Sequence, residues 1–372
     1  MMMTDKNLLP QNEEEAAFAL RALYGRYGYR PFKMSKFEEY DLYVKNKDFL
    51  VSDRVITFTD TNGKLMALKP DVTLSIIKSD EFARGCKQKF CYSENVYRVS
   101  GGTHQFKEIM QTGLECFGDI DLYDISEVIL LAAASLDKVS SDFVLEISHN
   151  VIFEEILECC TRDRSLQKEI SRLISEKNSH DLERLCSANG ISSEGTAPLV
   201  AVSKLYGDMD SVISRLEGFE LSDRARSALD ELCVLRDIIK SEGYADKIRF
   251  DFSVINDMKY YNGIVFRGFA EGICESVLSG GQYGRLMQRM GKKSDAIGFA
   301  IYLDLLEGLK TASAQYDVDV LLLYSEDTPK SAVSKTVKEL TDNRRSVSAQ
   351  REIPEKLRFG EIIDIRGEGK ND

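Results

Sequence analysis

The sequence predicts an α+β protein: an antiparallel sheet flanked by helices, a helical insertion, and a small α/β unit towards the C-terminus. Three observations carry this. Strand-like runs come in pairs across turns in the first third, as with 54–59 and 64–69 around Asp60-Thr61-Asn62-Gly63. Residues 151–244 change character: they are charged, place Leu and Ile at helical spacing, and hold one proline, Pro198. Strand patterns return at 248–256, 260–270 and 273–279, and the buried-strand run DVDVLLLY (317–324) then opens a new unit. The expected layout is a core over 1–310, with its insertion at about 151–244, and a short C-terminal unit over 316–372.

In chain order, 13–28 reads as an amphipathic helix, with acidic residues in its first turn and Gly28 at its end. Pro70-Asp71-Val72-Thr73 opens a second helix, which Asp71 or Thr73 could cap. Residues 89–98 and EIMQTGLECFG (108–118) read as antiparallel partners around a glycine-bearing loop that contains His104. A long helix begins near Leu122, and FVLEIS (143–148) is a strand. Gly280-Gly281 leads into a helix, and 296–310 reads as a strand running into a helix. The stretch NDMKYYNGIVF (256–266) reads either as a hairpin turning at Asn262-Gly263 or as a pocket wall made by Tyr260 and Tyr261.

Composition excludes some functions. Net charge is −12, and no dense Lys/Arg cluster with interleaved aromatics is present, which weighs against tRNA or other nucleic acid as a partner. No apolar run reaches membrane-spanning length, and the polar, acidic first residues lack a secretory layout. Eight cysteines without CxxC spacing and three scattered histidines argue for free thiols in a reducing cytoplasm and no metal site. Without GxGxxG, P-loop or HExxH, no cofactor is expected.

The residues that interrupt the strands carry the chemistry. Gln111 and Glu115, four apart on one strand, share a face, and Arg98 ends the preceding strand. Burying ionisable groups on a sheet face is costly unless they are paired. Together these side chains suit a small zwitterion: Glu115 for an ammonium, Gln111 for a donor or acceptor, Arg98 for a carboxylate or phosphate. An internal Arg–Glu ion pair fits the same residues equally well.

The order of these segments over about 13–310 resembles the catalytic core of class II aminoacyl-tRNA synthetases, and specifically histidyl-tRNA synthetase. The first motif resembles RYGYRPFKMSKFEEYDLY, and the LRPxxT signature resembles Leu68-Lys69-Pro70-Asp71-Val72-Thr73. The second motif resembles CYSENVYRVSGGTHQFKEIMQTGLECFG, with its FRxE-type arginine at Arg98. The histidine-specific RGLDYY stretch falls on Asn256 to Tyr261, followed by Ile264-Val265-Phe266. The glycine-rich GGGRYDGL resembles Ser279 to Leu286, and the third motif resembles Gly298 to Leu305.

The resemblance implies an amino-acid pocket of Asp71, Thr73, Arg98, Gln111, Glu115, Tyr260 and Tyr261. The family's activating groups depart. The histidine-stretch arginine falls on Asn256, the ATP-clamping arginine on Leu305, and a nearby space-making glycine on Tyr302. Losing preorganised cations at a phosphorus that gathers charge costs several kcal/mol each. A chain that keeps the pocket and loses the chemistry resembles the regulatory subunits of ATP phosphoribosyltransferase, the first enzyme of histidine biosynthesis. That implies a non-catalytic protein with histidine as ligand, a homodimer within a hetero-oligomer, and a short-form catalytic subunit as partner. The alternative is a divergent histidyl-tRNA synthetase or other amino-acid-activating ligase. It needs replacement cations, for which Lys259 and Arg285 are candidates by proximity. The C-terminal unit is also shorter than a full anticodon-binding domain is expected to be.

Overall fold

A mixed sheet of nine strands among the described residues organises most of the chain in the computed structural model. The structure describes residues 13–46, 55–79, 87–99, 105–255, 260–308 and 316–367. The chain divides into two compact units, Met1–Leu309 and Lys310–Asp372.

Helix α1 (Glu13–Arg26) has three glutamates in its first turn and Arg26 in its last, both favoured by the helix dipole. Strands β1 (Arg30–Pro31) and β2 (Phe37–Glu39), helix α2 (Tyr40–Lys45), and strands β3 (Thr57–Thr59) and β4 (Leu65–Leu68) follow. β3 and β4 pair around the expected turn, where Asp60 Oδ1 accepts the N–H groups of Asn62 and Lys64, each at 2.8 Å. β2 completes a separate three-stranded sheet on the other side of β4. Helix α3 (Thr73–Ser79) leads to β5 (Gln88–Val99) and β6 (Phe106–Gly118), which form a long antiparallel ladder. Helix α4 (Leu122–Val139) starts at a capping box between Asp121 and Asp124.

Strand β7 (Phe143–His149) runs directly into the insertion: α5 (Asn150–Cys160), α6 (Arg164–Ser175), α7 (Ser179–Ala188), α8 (Ser193–Ser203), β8 (Tyr206–Gly207), α9 (Met209–Leu216) and α10 (Asp223–Ser241). Asp163, Asn178, Ser192, Asp208 and Ser222 cap α6, α7, α8, α9 and α10 through their side chains, which explains the sharp boundaries of these short helices. The short β8 pairs with β9 (Ile248–Asp251), so the insertion also lends a strand to the sheet. Then come β10 (Ile264–Ala270), β11 (Leu278–Gln282), α11 (Gly284–Arg289), β12 (Asp295–Tyr302) and a 3-10 turn, Leu303–Gly308.

The sheet order is β1-β5-β6-β12-β11-β10-β7-β9-β8. Its central ladders are antiparallel, and β1–β5 and β7–β9 are parallel. One face packs on α1, α4 and the insertion in a large core that includes Leu114, Phe266 and Phe299. The other face carries a smaller cluster with Phe90, Tyr92, Phe117 and Tyr283, and the candidate site lies there.

Two sequence expectations are corrected. Tyr260 and Tyr261 are not on a hairpin strand: the chain is irregular through residue 263, and β10 pairs with β11 and β7. Asn262-Gly263 is held instead by Gln282 and Asn150, through the bonds Asn262 N to Gln282 O and Asn150 N to Gly263 O, each 2.9 Å. The pair Gly280-Gly281 lies inside β11 rather than leading out of a strand over 273–279. A Cβ at residue 280 would meet the Gly298 carbonyl oxygen at 2.4 Å, so close approach of β12 requires glycine there.

In the second unit, β13 (Val318–Leu323), α12 (Lys330–Asp342), β14 (Val347–Gln350) and β15 (Phe359–Asp364) form a parallel sheet ordered β14-β13-β15. Its centre is the buried run Val320–Leu323. Among the described residues no helix is long and apolar enough to cross a membrane.

Candidate functional site

Alternation along β6 puts Gln111, Gly113, Glu115 and Phe117 on the face opposite the large core. Directly across the ladders, Glu94 faces Gln111, Tyr92 faces Gly113 and Phe90 faces Glu115 on one side. On the other side Tyr302 faces Gln111 and Gly298 faces Glu115. The polar pair is thus framed by aromatic rings and small residues.

Glu115 is buried, 2% exposed. Thr73 Oγ1 donates to its Oε1 at 2.7 Å, and the Tyr283 hydroxyl donates to Oε2. Burial pushes the Glu115 carboxyl up to about 8, with the two hydroxyl donors opposing it. Tyr260 packs against Tyr261 with ring centroids 4.6 Å apart, and against Tyr283 at 5.7 Å. Burial raises the phenols of Tyr260, Tyr261 and Tyr283 well above the usual range, so all three stay protonated donors.

Asp71 sits at the start of α3, 9% exposed, and its Oδ1 accepts the Leu74 N–H at 2.9 Å. The helix-cap role read from the sequence therefore holds, and it leaves Oδ2 unused by that bond. Burial raises the Asp71 carboxyl, while the Leu74 N–H and the Arg98 guanidinium act in the other direction. Arg98 Nε donates to the Pro70 carbonyl at 3.1 Å.

Thr73, Glu115 and Tyr283 are joined by hydrogen bonds, with Tyr260 and Tyr261 packed beside Tyr283. Asp71 is close enough to act electrostatically on Glu115, Tyr260 and Tyr261, and Arg98 acts on Asp71. Gln111, 3% exposed, lies on the same strand face as Glu115. The internal Arg98–Glu115 ion pair does not form. Arg98 lies eight residues along β5 from Phe90, the partner of Glu115, which is roughly 26 Å of strand.

Of the five positions that bear on amino-acid activation, three are described. Leu305 packs its apolar side chain against the large core. Tyr302 spans to β11, its hydroxyl 3.0 Å from Ser279 Oγ. Arg285, a candidate replacement cation, is instead forked onto Glu154, at 2.7 Å to Oε1 and 2.8 Å to Oε2. Asn256, like Lys259 and His104, lies outside the described residues.

Sequence reasoning missed three contributors. Tyr283 was visible inside the glycine-rich segment, but nothing in its spacing revealed a bond to Glu115. Gly298 leaves the space that the Glu115 carboxylate fills. Lys69, fully buried, is paired with Glu94 at 2.5 Å and supports the strand beside Gln111. An open cleft of about 800 Å³ at the α5–α6 turn, lined by Glu155, Cys160, Arg162 and Gln167 among others, is a separate feature of the insertion. Among the described residues no cluster of His, Cys, Asp or Glu could hold a metal ion.

The histidyl-tRNA synthetase family model matches residues 7–306. An ATP phosphoribosyltransferase regulatory subunit from Alkaliphilus metalliredigens is 30% identical over 285 residues, covering 74% of this chain and 71% of that one. The chain belongs to the ATP phosphoribosyltransferase regulatory subunits, on the histidyl-tRNA synthetase fold. The fold extends to solved structures. An ATP phosphoribosyltransferase regulatory subunit/histidyl-tRNA synthetase from Bacillus halodurans superimposes with a TM-score of 0.80 at 21% identity, over 99% of this chain and all of that one. A chain of the ATP phosphoribosyl transferase (HisG:HisZ) complex from Thermotoga maritima gives a TM-score of 0.62 at 19% identity, over 82% of this chain and 98% of that one. Leu305, where the resemblance puts the synthetase's ATP-clamping arginine, packs against the large core of this regulatory subunit.

Proposed function

We propose that this regulatory subunit binds free histidine in the Glu115 pocket and, joined to a short catalytic chain, makes ATP phosphoribosyltransferase sensitive to histidine. The observation that carries this is the set of side chains that meet around Glu115: its carboxyl is held by the Thr73 and Tyr283 hydroxyls, Tyr260 packs on Tyr261 and Tyr283, and the Asp71 carboxyl is near enough to act on Glu115 and Tyr260. The α-ammonium and α-carboxylate of an amino acid share one carbon, so their partners must be neighbours of opposite sign. Asp71 and Arg98, whose guanidinium acts on the Asp71 carboxyl, are such neighbours. An imidazole, flat and bearing one donor and one acceptor, matches the carboxyl and hydroxyls that Glu115, Tyr260 and Tyr261 offer. Thr73 and Gln111 complete the polar lining.

The partner is supported by the Thermotoga maritima complex, whose matching chain is part of an ATP phosphoribosyl transferase assembly. A second copy of this chain is supported by Phe37 and Phe58. Their rings pack edge to face, 5.3 Å apart, and are 49% and 37% exposed on the β2-β4-β3 sheet. Feedback then needs histidine to bind the inhibited state of the complex more tightly than the active one.

Calorimetry of the isolated chain with histidine and histidinol tests the pocket. Histidine binds, and histidinol, which lacks the carboxylate, binds at least about tenfold more weakly. No heat at millimolar histidine, alone or with the catalytic chain, overturns the ligand assignment. ATP–pyrophosphate exchange with histidine tests the rival ligase reading, which requires robust exchange.

A further inference from the structure

Both tyrosine walls of the pocket hang from one helix, and that helix is the first of the insertion. Asn150, the first residue of α5, donates from Nδ2 to the Tyr261 carbonyl at 3.1 Å and from its backbone N–H to the Gly263 carbonyl at 2.9 Å. One turn further along, Glu154 takes the Arg285 fork at 2.7 and 2.8 Å. Arg285 lies two residues beyond Tyr283, whose hydroxyl is on Glu115. Residues i and i+4 of a helix stack on one face, so a single face of α5 holds both walls.

The same helix grips the far side of the insertion. Arg224, in the first turn of α10, reaches Glu154 Oε2 at 3.8 Å and Glu155 Oε1 at 3.2 Å. The α10 cap residue Ser222 donates to Glu155 as well. The links therefore run from Glu115 to Tyr283 by a hydrogen bond, from Tyr283 to Arg285 along two residues of backbone, and from Arg285 through Glu154 to Arg224 by ion pairs. Glu154 is the node: its side chain is 11% exposed, and a bidentate guanidinium fixes both position and orientation.

We propose that Glu154 and Arg285 are positioning residues that couple occupancy of the Glu115 pocket to the helical insertion, with α5 as the moving or stiffening element. This rests on the reading that the pocket takes an amino acid. A ligand that draws on Glu115 competes with the Tyr283 hydroxyl, and any shift of Tyr283 is passed through the Arg285 fork to α5 and the start of α10. The insertion then differs between the empty and filled states without touching the ligand.

Hydrogen exchange on the full chain, with and without saturating histidine, tests this. In the natural protein histidine slows exchange in β6, in α5 and in the first turn of α10, by about fivefold or more. In Glu154→Gln the slowing at β6 persists and that at α5 and α10 is lost. Equal slowing of α5 and α10 in the natural protein and in Glu154→Gln overturns the proposal. A ligand-free arm separates its failure from failure of the ligand assignment. Without histidine, Glu154→Gln speeds exchange at 282–287 and 222–226 by about threefold or more and leaves β7 unchanged. No change there overturns the coupling whatever the pocket binds. If Glu154→Gln does not fold, Arg285→Lys, which keeps the charge and loses the fork, takes its place in both arms.

Discussion

Glu115 and Gly298 face each other across the β6–β12 ladder, and a Cβ on residue 298 would lie 1.8 Å from Glu115 Oε2 and 2.5 Å from the Leu114 carbonyl oxygen. The carboxylate occupies the volume that any other residue would fill. Gly298→Ala must therefore displace either backbone or the buried carboxyl. The expected result is a loss of about 1–3 kcal/mol of stability, the usual cost of overpacking, with histidine binding weakened at least about tenfold. Thermal melts and calorimetry on the one variant read both.

The raised Glu115 carboxyl sets a pH dependence. Its folded value, about 8, lies above the unfolded value of 4.5, so the native state holds the proton more tightly. Its stabilising contribution is complete below about pH 4.5 and is lost as pH rises towards 8. Glu115→Gln carries no such proton. In urea unfolding the variant gains on the natural protein between pH 5 and pH 8, by up to about 4 kcal/mol, while both share every other titration. A constant difference across that range would refute the assignment.

Asp71 has two duties that substitution can separate. Asp71→Asn keeps an oxygen for the Leu74 N–H and removes the negative charge; Asp71→Ala removes both. Asparagine is expected to hold stability within about 0.5 kcal/mol, whereas alanine costs about 1 kcal/mol as a lost helix cap. Both lose histidine affinity by about tenfold or more if the ammonium binds there. Unchanged affinity in the asparagine variant would move the ammonium elsewhere.

Lys177 follows α6 at φ 54, a left-handed conformation usually left to glycine. Its ammonium is 2.7 Å from Asp251 Oδ2 and lies over the Tyr206 ring at 4.4 Å, which ties the insertion to β9 and β8. Lys177→Ala loses the tie and keeps the strain, whereas Lys177→Gly loses the tie and relieves it. Denaturant unfolding is expected to find the alanine variant the less stable of the two by about 1 kcal/mol.

Phe37 and Phe58 expose paired rings on a narrow sheet. If a second copy covers them, Phe37→Asp with Phe58→Asp shifts the chain towards monomer in analytical ultracentrifugation at micromolar concentration. An unchanged sedimentation profile removes this face from the dimer.

The sequence made the sheet strands and the capped helices legible because their signals are local. Asp71 announces the start of α3, and Asn62-Gly63 a turn. Glu115 and Gln111 were visible as polar breaks in an apolar strand. The bond from Tyr283 to Glu115 joins residues 168 apart, and no local pattern encodes it. The Arg98–Glu115 pair failed for a related reason. Charge complementarity suggested contact, but the register of β5 on β6 places them at opposite ends. Gly280 and Gly281 misled because glycine usually marks a loop, whereas here it answers to the crowding of neighbouring strands.

The hydroxyl pair of Tyr302 and Ser279 bears on how this lineage can change. Restoring glycine at 302 would strip a ring from the floor and leave Ser279 without that partner. Restoring arginine at 305 would force a guanidinium into the place where leucine packs. Each change alone is expected to cost stability, because the positions are now held by packing and hydrogen bonding. A route from this chain to amino-acid activation would therefore be uphill from its first step.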